Sequence, residues 1–297
     1  MRKIIMLTTV LLSFLFSNTF AQNNNTMKIN FFCPRWGSEN LSWDAFCEKV
    51  KKAGYNGIEG GIPADAAEKQ AMLDALKKYD LLLIGMSFYG TNPDFNLSVK
   101  NFELNLRSIA ELKPVLINCH TGKDFISFDQ NKALIEVATK VSKETGVKIL
   151  HETHRGRFTY AANITKEYLE KIPNFQLCLD ISHWCNVHES LLDDQNETVN
   201  LALSRTDHIH ARIGQPEAPQ VTDPRAPEWA DAVSHHLAWW DKIIEQKRQK
   251  GITAFTITPE FGPAGYLPML PYTKQPVANQ WDINVYMMEM LKKRYNQ

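Results

Sequence analysis

Val147-Lys148-Ile149-Leu150-His151-Glu152 and, after a helical interval, Gln176-Leu177-Cys178-Leu179-Asp180 are short apolar runs that each end in a carboxylate. Phe255-Thr256-Ile257-Thr258-Pro259-Glu260 repeats the pattern further along the chain, and His208-Ile209-His210-Ala211-Arg212 places alternating histidines in a strand between them. Runs that are apolar on both faces suit parallel strands covered by helices. Reading back toward the N-terminus, Ile29–Cys33, Gly57–Glu59, Leu81–Met86 and Val115–Cys119 supply four more.

Amphipathic stretches fill the intervals. Ser42 is placed to cap a helix with Trp43, Phe46 and Val50 on one face, and Thr165 to open one carrying Tyr168 and Leu169. Lys132–Thr145 and Trp229–Lys250 are longer, and Gly54, Gly146 and Gly251 stand where C-terminal caps precede strands. Eight strand–helix units over roughly 270 residues predict one α/β domain, a single (β/α)8 TIM barrel. A doubly wound open sheet asks for an early glycine-rich phosphate turn, and Gly57-Ile58-Glu59-Gly60-Gly61 is not G-x-G-x-x-G.

The 297 residues carry 33 Lys+Arg against 33 Asp+Glu, without the basic surplus that neutralising phosphates requires, so a nucleic-acid partner is not expected. Met1-Arg2-Lys3, the apolar run Ile4–Phe16 and Thr19-Phe20-Ala21 read as a signal peptide cut near Ala21. The expected organisation is therefore a signal peptide over 1–21, a flexible tail over 22–27 and a catalytic barrel over 28–297. The mature protein would be exported, periplasmic and free of a stable membrane anchor. Five cysteines, odd in number and without a C-x-x-C pair, do not form a disulfide framework. Two long segments, Ile213–Pro227 and Phe261–Asn279, hold eight of the 14 prolines and read as ordered walls or a lid over the barrel mouth.

Polar residues at strand C-termini converge on that mouth. In order they are His120, then His151-Glu152-Thr153-His154, Asp180-Ile181-Ser182-His183, His208 to Arg212, and Glu260. Singly, each has an ordinary reading: a rim carboxylate, a helix cap, or for His208 a packed core histidine. Consecutive strands ending in Glu, Asp, His and Glu make a mixed oxygen and nitrogen set suited to a divalent ion.

These motifs resemble the xylose-isomerase-like barrel superfamily, in particular its sugar phosphate isomerase/epimerase branch. The matching elements are L-H-E-T-H around Glu152, L-D-I-S-H-W around Asp180 and His183, H-I-H-A-R around His210, and T-P-E-F-G around Glu260, over Lys28–Leu291. The resemblance implies one divalent ion held by Glu152, Asp180, His210 and Glu260, with Mn²⁺ favoured over Mg²⁺, Co²⁺ and Zn²⁺. It implies a substrate contact at His183 and another at Arg212. His154, Arg155 and Arg157 crowd the fifth-strand loop and Pro219–Arg225 fills the seventh, as in an exported, poorly characterised subgroup. With His120, these give His154 and Arg155 as further substrate contacts, suited to a carboxylate, phosphate or oxidised sugar. Trp184 and Trp229 offer a stacking face, whereas Trp239 and Trp240 read as core.

The implied activity is that of a metal-dependent carbohydrate isomerase or epimerase, working by proton abstraction beside a sugar carbonyl through an enediolate. Glu152 and Glu260 are the paired bases. The alternative on the same site is a lyase eliminating the aglycone of a keto-glycoside. More distant readings are a metal-dependent hydrolase or endonuclease, and a metal-free sugar-binding barrel. The partner is a small sugar or keto-glycoside, and a homo-oligomer is left open.

Overall fold

The computed structural model describes residues 27–297, so the expected signal peptide over 1–21 and all of the expected tail but Met27 lie outside the described residues. Eight parallel strands close into one barrel in chain order. They are β1 Lys28–Pro34, β2 Gly57–Gly61, β3 Leu82–Phe88, β4 Leu116–His120, β5 Ile149–Glu152, β6 Leu177–Leu179, β7 Thr206–His210 and β8 Ala254–Thr258. Closure runs through the β1–β8 register, from Lys28 opposite Ala254 to Phe31 opposite Ile257. Met27, read as part of the tail, is buried, and its carbonyl accepts from Gln297 Nε2 at 3.2 Å. That bond brings the start of the barrel to the chain's end.

Helices α1 Trp43–Lys52, α2 Ala66–Lys78, α3 Phe95–Ala110, α4 Phe128–Thr145, α5 Ala162–Lys171, α6 Ser182–Val187, α7 Asn196–Ser204, α8 Ala230–Gln249 and α9 Gln280–Tyr295 cover the outside. Ser42 caps α1 by accepting from Ala45 N, and Ser127 with Gln130 forms a reciprocal capping box on α4. Gly54, Gly146 and Gly251 have φ of +89°, +73° and +68°, the left-handed region where a β-carbon is strained. Helix α5 begins at Ala162, not Thr165. Thr165 lies buried in the first turn and its hydroxyl donates to Ala161 O at 2.8 Å, so it serves the turn from inside rather than capping it. Strand β7 starts at Thr206, two residues before the run that its histidines marked.

The apolar residues form two layers. Phe32, Ile84, Leu116, Leu150 and Cys178 pack inside the barrel as a plug below the mouth. A larger layer between sheet and helices includes Phe46, Trp184, Trp240 and Met287, each fully buried. Each such side chain contributes roughly 1.5–3 kcal/mol by leaving water. This rigid base holds the strand ends, and with them the site, in a fixed frame. All five cysteines are buried and free. No helix among the described residues is long and apolar enough to cross a membrane.

Candidate metal centre

Glu152 is the last residue of β5 and His210 the last of β7, while Asp180 follows β6 directly and Glu260 stands two residues past β8. Parallel strands place all four at the same end of the barrel. Each offers one ligand atom, and the four atoms lie within 4.8 Å of one another in a fully buried cluster. Three carboxylates and an imidazole are ligands for a hard or borderline divalent ion.

Hydrogen bonding around His210 provides the test of fit. Its Nε2 lies 2.9 Å from Glu59 Oε1 and serves as the donor there. Its Nδ1 is buried without a hydrogen-bond partner, although it faces Glu260 Oε2 at 2.9 Å and Glu152 Oε2 at 3.6 Å. A buried ring nitrogen with a free lone pair, ringed by carboxylate oxygens, is the arrangement a cation satisfies. The residues fit a divalent ion.

Electrostatics agree. Burial raises Asp180 to about 6 despite the Arg212 guanidinium beside it, and the negative charges of Glu260 and Glu152 add to the rise. Burial acts the same way on Glu152, but His120 and His210 outweigh it and hold this carboxyl well below its ordinary range. For His210 burial opposes the proton, yet Cys178, Glu260, Glu59 and Glu152 around it push its pKa well above the usual value. Buried carboxylates so close together repel unless a cation joins them.

Arg212 supplies part of that positive charge. Its Nη2 donates to Asp180 Oδ2 and its Nε to Ser182 Oγ at 3.1 Å, and Ser182 Oγ in turn donates to Asp180 Oδ1 at 2.5 Å. His183 Nε2 accepts from Arg212 at 2.8 Å, and the His183 ring lies 4.0 Å from that of His154. His183 is fully buried behind these two side chains, so it reaches the mouth through Arg212 instead of lining it. His120 stands 3.0 Å from Glu152 Oε2, and its ring is 4.5 Å from that of His154. Burial lowers His154 to about 3, which keeps the ring neutral.

Above the cluster opens a cavity of roughly 370 Å³, polar on the side of His120, His154 and Arg212 and apolar along Trp36, Met86 and Phe88. Tyr266 roofs it, edge-on to Trp36 at 4.9 Å, with Arg212 at 4.7 Å and Arg155 at 4.8 Å over its ring. Trp36 rests on Gly262, where a β-carbon would meet its ring at 2.2 Å. The long loops are ordered walls: Gln220 and Gly262 exchange hydrogen bonds of 2.7 and 3.3 Å between them.

Some expected roles move. Trp184 is fully buried with Nε1 donating to Thr159 O, and Trp229 Nε1 donates to Thr222 Oγ1, so neither stacks on a ligand in the mouth. Trp36 and Tyr266 take that place. His151 turns outward to Thr121 and the rings of Phe158 and Phe175. Arg225 pairs with Asp223 on the surface, and Arg157 donates to Gly122 O. Glu59 joins the centre without having been expected there: it ends the Gly57–Glu59 run just as Glu152 ends its own, but the flanking glycines make that stretch resemble a turn. Tyr266 sits in the Phe261–Asn279 segment expected to wall the mouth, but nothing in the sequence distinguishes it from its neighbours there.

The family model of the xylose isomerase-like TIM barrel matches residues 47–232, and the chain belongs to that family. Among solved structures it is similar to the probable 3-DHS dehydratase AsbF of Bacillus anthracis, at 16% identity and a TM-score of 0.59 over 90% of this chain and 100% of that one. It is also similar to the 3-keto-D-glucoside 4-epimerase YcjR of E. coli, at 12% identity and a TM-score of 0.57, covering 90% of this chain and 100% of that one. A xylose isomerase-like TIM barrel protein of Mycobacterium smegmatis in complex with magnesium aligns at 8% identity and a TM-score of 0.57, over 90% and 97% of the two chains. At these identities the likeness is one of fold. No curated protein matches the sequence.

Proposed function

We propose that the protein is a divalent-metal-dependent carbohydrate isomerase or epimerase that removes the proton beside a sugar carbonyl. The convergence of Glu152, Asp180, His210 and Glu260 below a cavity that Tyr266 partly roofs carries this reading. These four residues would hold the ion, with Mn²⁺ favoured. When bound, such an ion supplies Lewis acidity to a carbonyl and its neighbouring hydroxyl.

The chain's own residues do the proton work. Glu152 and Glu260 come from β5 and from beyond β8, strands that are not neighbours, and each has two oxygens with which to hold the ion and reach a C–H bond. One takes the proton and the other returns it. Return to the opposite face of the same carbon gives an epimer, and return to the adjacent carbon gives an isomer. Arg212, braced by His183 and stacked on Tyr266, orients a substrate oxygen, with His120, His154 and Arg155 contributing at the rim. Tyr266 and Trp36 exclude water from the enediolate.

The apolar wall of Trp36, Met86 and Phe88 favours a second outcome at the same site. A 3-keto-glycoside would place its aglycone there, and loss of the C2 proton would expel it by β-elimination. The electron pair of the C2–H bond becomes the C1–C2 double bond as the C1–O bond breaks. An exported, periplasmic protein, as Met1–Ala21 suggests, meets such unphosphorylated substrates. Incubation of Mn²⁺-loaded protein with a panel of ketoses and 3-keto-glycosides, followed by NMR, separates the outcomes. New epimers support the first, released aglycone supports the second, and neither with any substrate overturns both.

A further inference from the structure

Glu59 is the one carboxylate of the centre that the ligand set leaves unused. It lies in β2, buried at the floor of the mouth. Four side chains converge on it, two at each oxygen. Oε1 meets Asn118 Nδ2 at 3.0 Å and His210 Nε2 at 2.9 Å. Oε2 meets Thr258 Oγ1 at 2.5 Å and His208 Nε2 at 3.2 Å. An ionised carboxylate accepts and never donates, so every neighbour must present a hydrogen to it. With two donors at each oxygen, Glu59 has no lone pair to spare for a metal or a substrate proton.

We infer that Glu59 is a positioning residue that fixes the tautomer of His210, holding the hydrogen on Nε2 so that Nδ1 presents a lone pair to the ion. This rests on the reading of His210 as a ligand. The surroundings are built for the same end. His208, two residues earlier on the same face of β7, presents its Nε2 hydrogen to the acceptor-only Glu59, and its Nδ1 is anchored on Thr256, 2.7 Å from Oγ1 and 3.0 Å from the carbonyl oxygen. Asn118 Nδ2 reaches Glu152 Oε2 at 2.7 Å as well as Glu59, so one amide ties the positioning carboxylate to a second ligand. Thr256, His208, Glu59 and His210 thus form a buried chain of hydrogen bonds that ends at the orphaned Nδ1. His208 acquires a role here as a brace rather than a ligand.

Two measurements test this. Long-range ¹H–¹⁵N correlation on protein loaded with diamagnetic Zn²⁺ reads which ring nitrogen keeps its hydrogen, and calorimetric titration of metal-free protein with Mn²⁺ reads affinity. In the wild type, His210 should carry its hydrogen on Nε2. Glu59→Gln replaces one acceptor oxygen by a donor, and should populate the Nδ1–H form and weaken Mn²⁺ binding about 10–100-fold, the loss typical of an outer-shell partner. Glu59→Asp keeps the carboxylate and should recover part of that affinity. A wild-type His210 with its hydrogen on Nδ1 overturns the inference, and this result needs no variant to fold. So does a folded Glu59→Gln protein that binds Mn²⁺ as the wild type does. Failure of the metal reading shows separately, as undiminished Mn²⁺ binding by His210→Ala whatever tautomer the wild type holds.

Discussion

Nδ1 of His210 lies 2.9 Å from Oε2 of Glu260 and no hydrogen bond joins them. With Nε2 committed to Glu59, the two groups present lone pairs toward a common point. Purified protein should therefore carry one divalent ion per chain, measured by elemental analysis. Glu152→Ala, Asp180→Ala, His210→Ala and Glu260→Ala should each weaken binding by more than about 100-fold, beyond the loss seen for an outer-shell partner. Full occupancy in Asp180→Ala would remove that residue from the ligand set.

Arg212 neutralises Asp180 and stacks on Tyr266, but it contributes no ligand atom. Arg212→Ala should retain the ion and lose substrate affinity, seen as a raised KM with the metal content unchanged. His183→Ala should show a smaller effect in the same direction, because its ring acts through the guanidinium. Loss of the ion from His183→Ala would instead make it a ligand.

His120 and His210, which end β4 and β7, were legible near strand ends, and all eight strands were visible as largely apolar runs because both faces of a parallel barrel strand are covered. The four-residue cluster was legible for the same reason: parallel strands bring equivalent ends together. What stayed hidden depends on contacts that periodicity does not encode. Tyr266 enters the mouth only because the loop after β8 folds back across the barrel, and Trp36 only because Gly262 leaves it room. Glu59 differs in kind. Its position was readable, but its purpose appears only when four donors from β4, β7 and β8 meet it.

His236 sets a pH limit on stability away from the metal centre. Gly214 N donates to its Nε2 at 3.2 Å and its Nδ1 donates to Ala232 O at 2.8 Å, so the ring is held neutral. Burial pushes its pKa down from 6.5 to about 4. The unfolded chain then binds a proton that the folded one refuses, so stability falls as pH drops below 6.5 and levels out near 4. Between pH 7 and pH 5 this one group should cost about 2 kcal/mol. Denaturant titrations at the two pH values measure the loss, and His236→Gln should reduce it. Equal loss in that variant would assign the effect to other groups.

Glu152 and Glu260 should part company when made neutral without changing shape. Removing a positioned acid or base costs about 10²–10⁴-fold in rate. Glu152→Gln and Glu260→Gln should both lose turnover on that scale, and one of them should still wash out the substrate proton while failing to form product. Identical loss of exchange and of product in both variants would show that the two carboxylates do not divide the work.

Proton exchange is the most direct test of the central claim. Metal-loaded protein is incubated in D₂O with a ketose and with a 3-keto-glycoside, and deuterium is located in the recovered sugar by NMR. The account predicts incorporation at the carbon beside the carbonyl, abolished by chelation and restored by Mn²⁺. No incorporation into any carbonyl sugar, together with hydrolysis of a plain glycoside, would contradict it and make the centre a hydrolytic one.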